Sequence, residues 1–205
     1  MTERIDDLRL NTLQELLQIG AARASDALRM FIRKPTSVQL TSVLAKPVEQ
    51  VASLLWPLDL PRIVVYVPIQ GTMGGHFFIV MDGAAAGALA ALGGVSGDGE
   101  EMRVSFFEEV ANVVANNYLR SIEPYVGAAG QQDIPSCVEG LPEAIFDGIV
   151  AELGVAGGTA VVGLTECAVE GQRLNIEFWW FFNPGELDAL WKRIDELSGG
   201  SHGGS

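Results

Sequence analysis

Ser105, Glu109, Asn112 and Asn116 recur at i, i+4, i+7 and i+11 within the stretch SFFEEVANVVANN, residues 105–117. At about 100° per residue they form one polar stripe, roughly 60° wide, on a helix whose other faces carry Phe106, Phe107, Val110, Val113 and Val114. A carboxylate pairs with cations and accepts hydrogen bonds, whereas an amide both donates and accepts. Glu109 and Asn112, at i and i+3, point off the same face. A helix of this kind can be offered to a partner's cleft without a pocket of its own. A solvated helix face also looks like this, so the stripe gains meaning only from what surrounds it. Glu108 points about 100° away from Glu109 and reads as a surface charge.

Two long helices dominate the pattern. One spans about 6–33, with Leu13, Leu16, Leu17, Leu28 and Phe31 on its apolar face, and the second spans about 103–123. The first is followed by a strand at about 37–44, a short helix near PVEQVASLL, and a hairpin of RIVVYVPIQ and GGHFFIVM. Asp82 is placed to cap the helix GAAAGALAAL. After the second long helix the order recurs: a strand at about 132–139, a helix PEAIFDGIVAEL, a hairpin of GTAVVGLTECAVE and RLNIEFWWFF, and a closing helix. Asn183 precedes that helix and Pro184 takes its first position.

This is an internal repeat. Asn11 and Ser105 are 94 residues apart, as are Glu15 and Glu109, Gln18 and Asn112, and Thr41 and Pro135. By the helix caps Asp82 and Asn183 the offset has grown to 101. The expected fold is α+β: two pseudo-symmetric helix-strand-helix-hairpin-helix halves, about 8–95 and 102–197, whose strands share one mainly antiparallel sheet. They form a single domain over 1–197, with a flexible tail at 198–205 containing His202. The run Phe178–Phe182 alternates faces in a strand and is expected to fill core on both.

Composition narrows the function. With 13 Lys+Arg against 26 Asp+Glu the net charge is −13, which repels phosphate backbones and argues against nucleic-acid binding. No run reaches the roughly 18 apolar residues of a membrane span, and the N-terminus lacks a signal pattern, so a cytoplasmic protein is expected. Two histidines, His76 and His202, are too few for a His-rich metal site or a His-based triad. Cys137 and Cys167, outside any C-x-x-C pair, read as buried free thiols. No metal site is expected. The glycines of GTMGG, residues 71–75, serve a turn, since no Gly-Lys-Ser/Thr follows.

Ser105-x3-Glu109-x2-Asn112-x22-Pro135 resembles the pattern [D/S]-x3-E-x2-N-x22-P of the CheC/CheX/FliY family of chemotaxis phosphatases, and LLQIGAARASDAL is similar to the family's first-half phrase. The two-half layout, over about 8–195, looks most like CheC. The resemblance implies hydrolysis of the aspartyl phosphate of a CheY-like response regulator. It implies that Glu109 pairs with a regulator Lys, that Asn112 orients the attacking water, and that Ser105 and Pro135 support them. Mg²⁺ would come from the regulator, the protein having no cofactor of its own. Phosphoryl transfer needs mostly positioning and charge stabilisation, which suits a carboxylate and a neutral amide.

The first half departs from the pattern. Glu15 stands where Glu109 does, but Gln18 replaces the Asn, Asn11 the Asp/Ser and Thr41 the Pro. One extra methylene moves the amide by about 1.5 Å, enough to spoil an in-line geometry. Glu15 and Gln18 therefore make a possible second site of degenerate form. The alternative is a non-catalytic binding module that sequesters phosphorylated regulator or serves as an adaptor for a CheD-like partner.

Overall fold

The computed structural model describes residues 7–47, 60–97, 99–127, 130–141, 159–170 and 172–199, with residues 50 and 151. In chain order the elements are α1 (Asp7–Ile32), β1 (Thr36–Pro47), β2 (Arg62–Gln70), β3 (Gly75–Met81), α2 (Gly83–Leu92), α3 (Glu100–Val126), β4 (Gln131–Gln132), β5 (Ser136–Gly140), β6 (Thr159–Val169), β7 (Gln172–Phe182) and α4 (Pro184–Gly199). The two long helices and both hairpins lie where their periodicity puts them. The expected helices near PVEQVASLL and PEAIFDGIVAEL fall outside the described residues except for Pro47, Gln50 and Ala151, and of the expected tail only 198–199 are described, as the end of α4. α3 is longer than expected at both ends. Glu100 and Glu101 suit the positive end of its dipole, and burial of Ile122 and Val126 carries it through Pro124. Asp82 caps α2 as expected, accepting the Ala85 N–H at 2.7 Å. Ahead of α4 it is the main-chain carbonyl of Asn183 that accepts the Leu187 N–H, at 2.9 Å.

Among the described residues seven strands join one antiparallel sheet in the order β1-β6-β7-β3-β2-β4, with β5 also on β2. The halves exchange their first strands: β1 pairs with β6 of the second hairpin, and β5 with β2 of the first. At the centre β3 pairs with β7, Phe78 opposite Trp179 and Phe77 opposite Trp180. Phe78 and Trp179 are 101 residues apart, the repeat offset. The residue one before Phe78 has its equivalent in Phe178, which faces Ile79, the equivalent of Trp180. The repeat is thus a pseudo-two-fold running through the Phe78–Trp179 pair.

Side chains alternate between two buried layers. Val65, Val67, Phe77, Ile79, Phe178, Trp180 and Phe182 face α1 and α3, while Val64, Phe78, Val80, Val162, Trp179 and Phe181 form a second cluster. The aromatic run 178–182 is core on both faces. On the helix side, α1 and α3 pack against each other. Gly20 lies against the ring of Tyr118, and Phe31 stacks on Phe106 with centroids 5.8 Å apart, so the helices run antiparallel. Gly20 is where the backbone must come close: a Cβ there would enter the Tyr118 ring. This is the physical reason for the glycine in LLQIGAARASDAL. Cys137 and Cys167 are both free thiols, as expected; Cys167 is buried, but Cys137, on an edge strand, is only half-buried.

Candidate functional site

α3 overlies β2, β4 and β5 at one edge of the sheet, and α1 overlies β1 and β6 at the other. Each stripe therefore sits at its own sheet edge. Nine residues on from Gly20 is Arg29, and nine back from Tyr118 is Glu109, so these two lie level on the helix pair. Glu15 is 14 residues from Arg29, which separates the two stripes by about 21 Å along the axis.

In the second-half stripe Ser105 and Glu109 are exposed, and Asn112 and Asn116 are half-buried. Phe106 turns the neighbouring face of α3 toward α1. Among the described residues Glu109 makes no buried contact with its own chain. Asn112 is held: its Oδ1 accepts a hydrogen bond from Gln132 Nε2 at 2.9 Å. Gln132 belongs to β4, where its backbone pairs with Ile69 of β2. The bond engages one lone pair of Asn112 Oδ1, leaving the other lone pair and both Nδ2 hydrogens for a further partner.

Pro135 is buried in the break between β4 and β5. Along β2, the step from Ile69 to Tyr66 covers three residues, while the facing step from Gln132 to Ser136 covers four. One residue is extra, so β4 and β5 are a single edge strand interrupted by a bulge. A proline fits there because its missing N–H costs no ladder bond. The other edge repeats the device at the matching position. β1 skips one residue between Leu40 and Ser42, and the skipped residue is Thr41, whose hydroxyl donates to the Leu164 carbonyl at 3.0 Å. The long spacing from Asn112 to Pro135 thus marks the bulge that ends the strand segment holding Gln132.

The first-half stripe is differently furnished. Asn11, Glu15, Gln18 and Thr41 are all exposed. The residue 94 before Gln132 is Val38, an apolar residue buried in the core. Gln18 has no amide at that position to meet it.

Glu108 departs from its expected role as a surface charge. It is half-buried, and its carboxylate accepts the Cys137 N–H at 3.2 Å, tying α3 to β5. Ser25 does the same for α1, accepting the Val38 N–H at 2.7 Å. Burial, with the Glu108 and Glu139 charges, pushes the Cys137 thiol up to about 11, against a small opposing pull from Arg103; burial pushes Cys167 up to about 12. Neither thiol has the ionisation of a nucleophile. Among the described residues no three His, Cys, Asp or Glu side chains gather as a metal site, and no helix is long and apolar enough to cross a membrane. Gln132 was not among the candidates from sequence. Its one signal was its position three residues before Pro135, which acquires meaning only once the strand pairing is known.

No protein-family model matches the chain, and no curated protein matches it in sequence. Solved structures do match. FliY of Thermotoga maritima superposes with a TM-score of 0.73 at 17% identity, covering 96% of this chain and 99% of that one. The FliM middle domain of H. pylori gives 0.67 at 12% identity over 92% and 99%. CheX in the CheX-CheY-BeF3-Mg²⁺ complex of Borrelia burgdorferi gives 0.55 at 15% identity over 82% and 99%. The strand order, the paired long helices and these superpositions agree: the chain has the fold of the CheC/CheX/FliY family.

Proposed function

We propose that this protein is a phosphatase for the aspartyl phosphate of a CheY-like response regulator, acting through Glu109 and Asn112. The observation that carries the reading is the second-half stripe itself: an exposed Glu109 beside an Asn112 held by Gln132, on a helix face open to a partner. A CheX of the same fold forms a complex with CheY, BeF3 and Mg²⁺, which supports a receiver as the partner.

In this reading α3 lies across the receiver's phosphorylation site. Glu109 pairs with a receiver lysine and sets the register, with Ser105 one turn earlier at the rim. Asn112 holds a water opposite the leaving carboxylate. The water oxygen attacks phosphorus in line, the bond from phosphorus to the aspartyl oxygen breaks, and its electron pair returns to the carboxylate. The water's proton ends on the released phosphate. Mg²⁺, supplied by the receiver, neutralises charge on the phosphoryl oxygens. The protein's contribution is placement of one water and one ion pair, which requires no pocket and no strongly shifted side chain. Pro135 supports the site through the bulge, and Glu15 with Gln18 forms the degenerate second site.

A second reading is a binding module without turnover. The FliM middle domain shares the fold, and H. pylori FliM is found in complex with FliG, which favours a purely protein-binding use. A CheD-like partner belongs to this reading. The two differ in stoichiometry. A phosphatase present at one-twentieth of the phosphorylated receiver clears all of it, over many turnovers per molecule. A sequestering module at that ratio leaves the decay of at least nineteen-twentieths unchanged, and that result would reject the enzymatic reading.

A further inference from the structure

We infer that Gln132 is the positioning residue for Asn112, and that its replacement by valine at the first-half position leaves that stripe without a fixed amide. The inference rests on the phosphatase reading for its role, and on geometry for its existence. Gln132 sits on a paired strand rather than a loop, with Ile69 as its ladder partner, so its side chain starts from a fixed backbone. Its Nε2 donates to Asn112 Oδ1 at 2.9 Å.

The pairing has a direction. Gln132 Oε1 is buried without a hydrogen-bond partner among the described residues. Turning both amides over would let Asn112 donate to Gln132, but would put the Gln132 NH2, with two hydrogens, into that unpaired position. One orphaned acceptor costs less than two orphaned donor hydrogens, so the observed direction wins. Asn112 consequently presents its NH2 toward the partner side. A water accepting from that N–H keeps its other lone pair for phosphorus.

Val38, 94 residues earlier, fills the corresponding place with no polar atom at all. The asymmetry between Gln132 and Val38 matches the asymmetry between Asn112 and Gln18. The half with the shorter, better-placed amide also has the group that holds it.

The test uses Gln132→Val, which copies the first half, and Gln132→Glu. A glutamate side chain accepts but does not donate, so it would turn the Asn112 amide over while keeping it ordered. Two readouts are needed. The first is the order parameter of the Asn112 side-chain NH2 by ¹⁵N relaxation, which needs no substrate. It is expected in the rigid range, about 0.8, in wild type and Gln132→Glu, and below about 0.6 in Gln132→Val. The second is receiver dephosphorylation. Gln132→Val is expected to lower kcat by roughly 10- to 100-fold with KM changed less than about threefold, since Glu109 still docks. Gln132→Glu is expected to lower kcat despite its ordered amide. An Asn112 amide equally mobile in wild type and Gln132→Val overturns the inference, and so does lost order with unchanged kcat. If wild type accelerates no receiver's decay, the phosphatase reading has failed, while the order parameter still decides whether Gln132 holds Asn112.

Discussion

Two glycine-to-alanine substitutions on helices should move stability in opposite directions, and the difference measures how α1 seats on α3. At Gly87, in the middle of α2, an added Cβ meets nothing within 4 Å. Gly87→Ala removes only glycine's excess backbone freedom and should stabilise by about 1 kcal/mol. At Gly20 the same helical gain is available, but the methyl group enters the Tyr118 ring. That ring cannot retreat easily. It is 2% exposed and packed against Phe77 and Trp180, with centroids at 6.2 and 5.8 Å. Overpacking of a close-packed site costs about 1–3 kcal/mol, and a wall of buried aromatics puts Gly20 in the upper half of that range. After the helical gain, Gly20→Ala should lose about 1–2 kcal/mol, making the two variants differ by about 2–3 kcal/mol. Urea melts with a common m-value read this as midpoints on opposite sides of wild type. A Gly20→Ala midpoint at or above wild type would refute the close seating of the two long helices, and with it the register that separates the stripes.

Asp82 caps α2 and also accepts a hydrogen bond from Asn175 at 2.6 Å. That bond first, then the Ala85 N–H, holds its carboxyl below the ordinary 3.8. A lowered folded value means that its stabilisation is present above about pH 4 and fades as pH falls below 3.8 through the folded value. Asp82→Ala should therefore cost about 0.5–2 kcal/mol at pH 7, and the gap from wild type in urea melts should narrow by pH 3. Cys137 and Cys167, raised to about 11 and about 12, should react slowly with a thiol reagent at pH 8 in the native protein and quickly in urea. Glu108→Gln removes one of the charges that hold the Cys137 thiol up, so native labelling of Cys137 should quicken; labelling unchanged would mean that the Glu108 contact to β5 is not maintained in solution.

The parts of the fold written in local periodicity were legible. A 3.6-residue repeat located α1 and α3, alternation located the hairpins, and the 94- to 101-residue offsets revealed the repeat. The exchange of first strands between halves was not legible. Pairing of β1 with β6, and of β5 with β2, is decided by contacts 70 or more residues apart, which no local pattern encodes. The bulges at Thr41 and before Ser136 stayed hidden for the same reason, although the conserved offset of Thr41 and Pro135 within the chain was visible. Glu109 and Asn112 could be singled out because their spacing is helical. Gln132 could not, because its link to Asn112 crosses from strand to helix. Glu108 was misread because helical geometry says which way a side chain leaves the helix, not that an edge strand waits there to donate an N–H.

The central claim is that the stripe at 105–116 is a catalytic face and its first-half counterpart is degenerate. The most direct measurement is the decay of a phosphorylated CheY-like receiver with Mg²⁺, comparing wild type, Asn112→Ala and Gln18→Ala, each checked for folding by urea melts. The account predicts that wild type and Gln18→Ala accelerate decay alike, while Asn112→Ala leaves it within about twofold of the unassisted rate. Acceleration by Asn112→Ala equal to that of wild type, or loss of acceleration in Gln18→Ala alone, would contradict it.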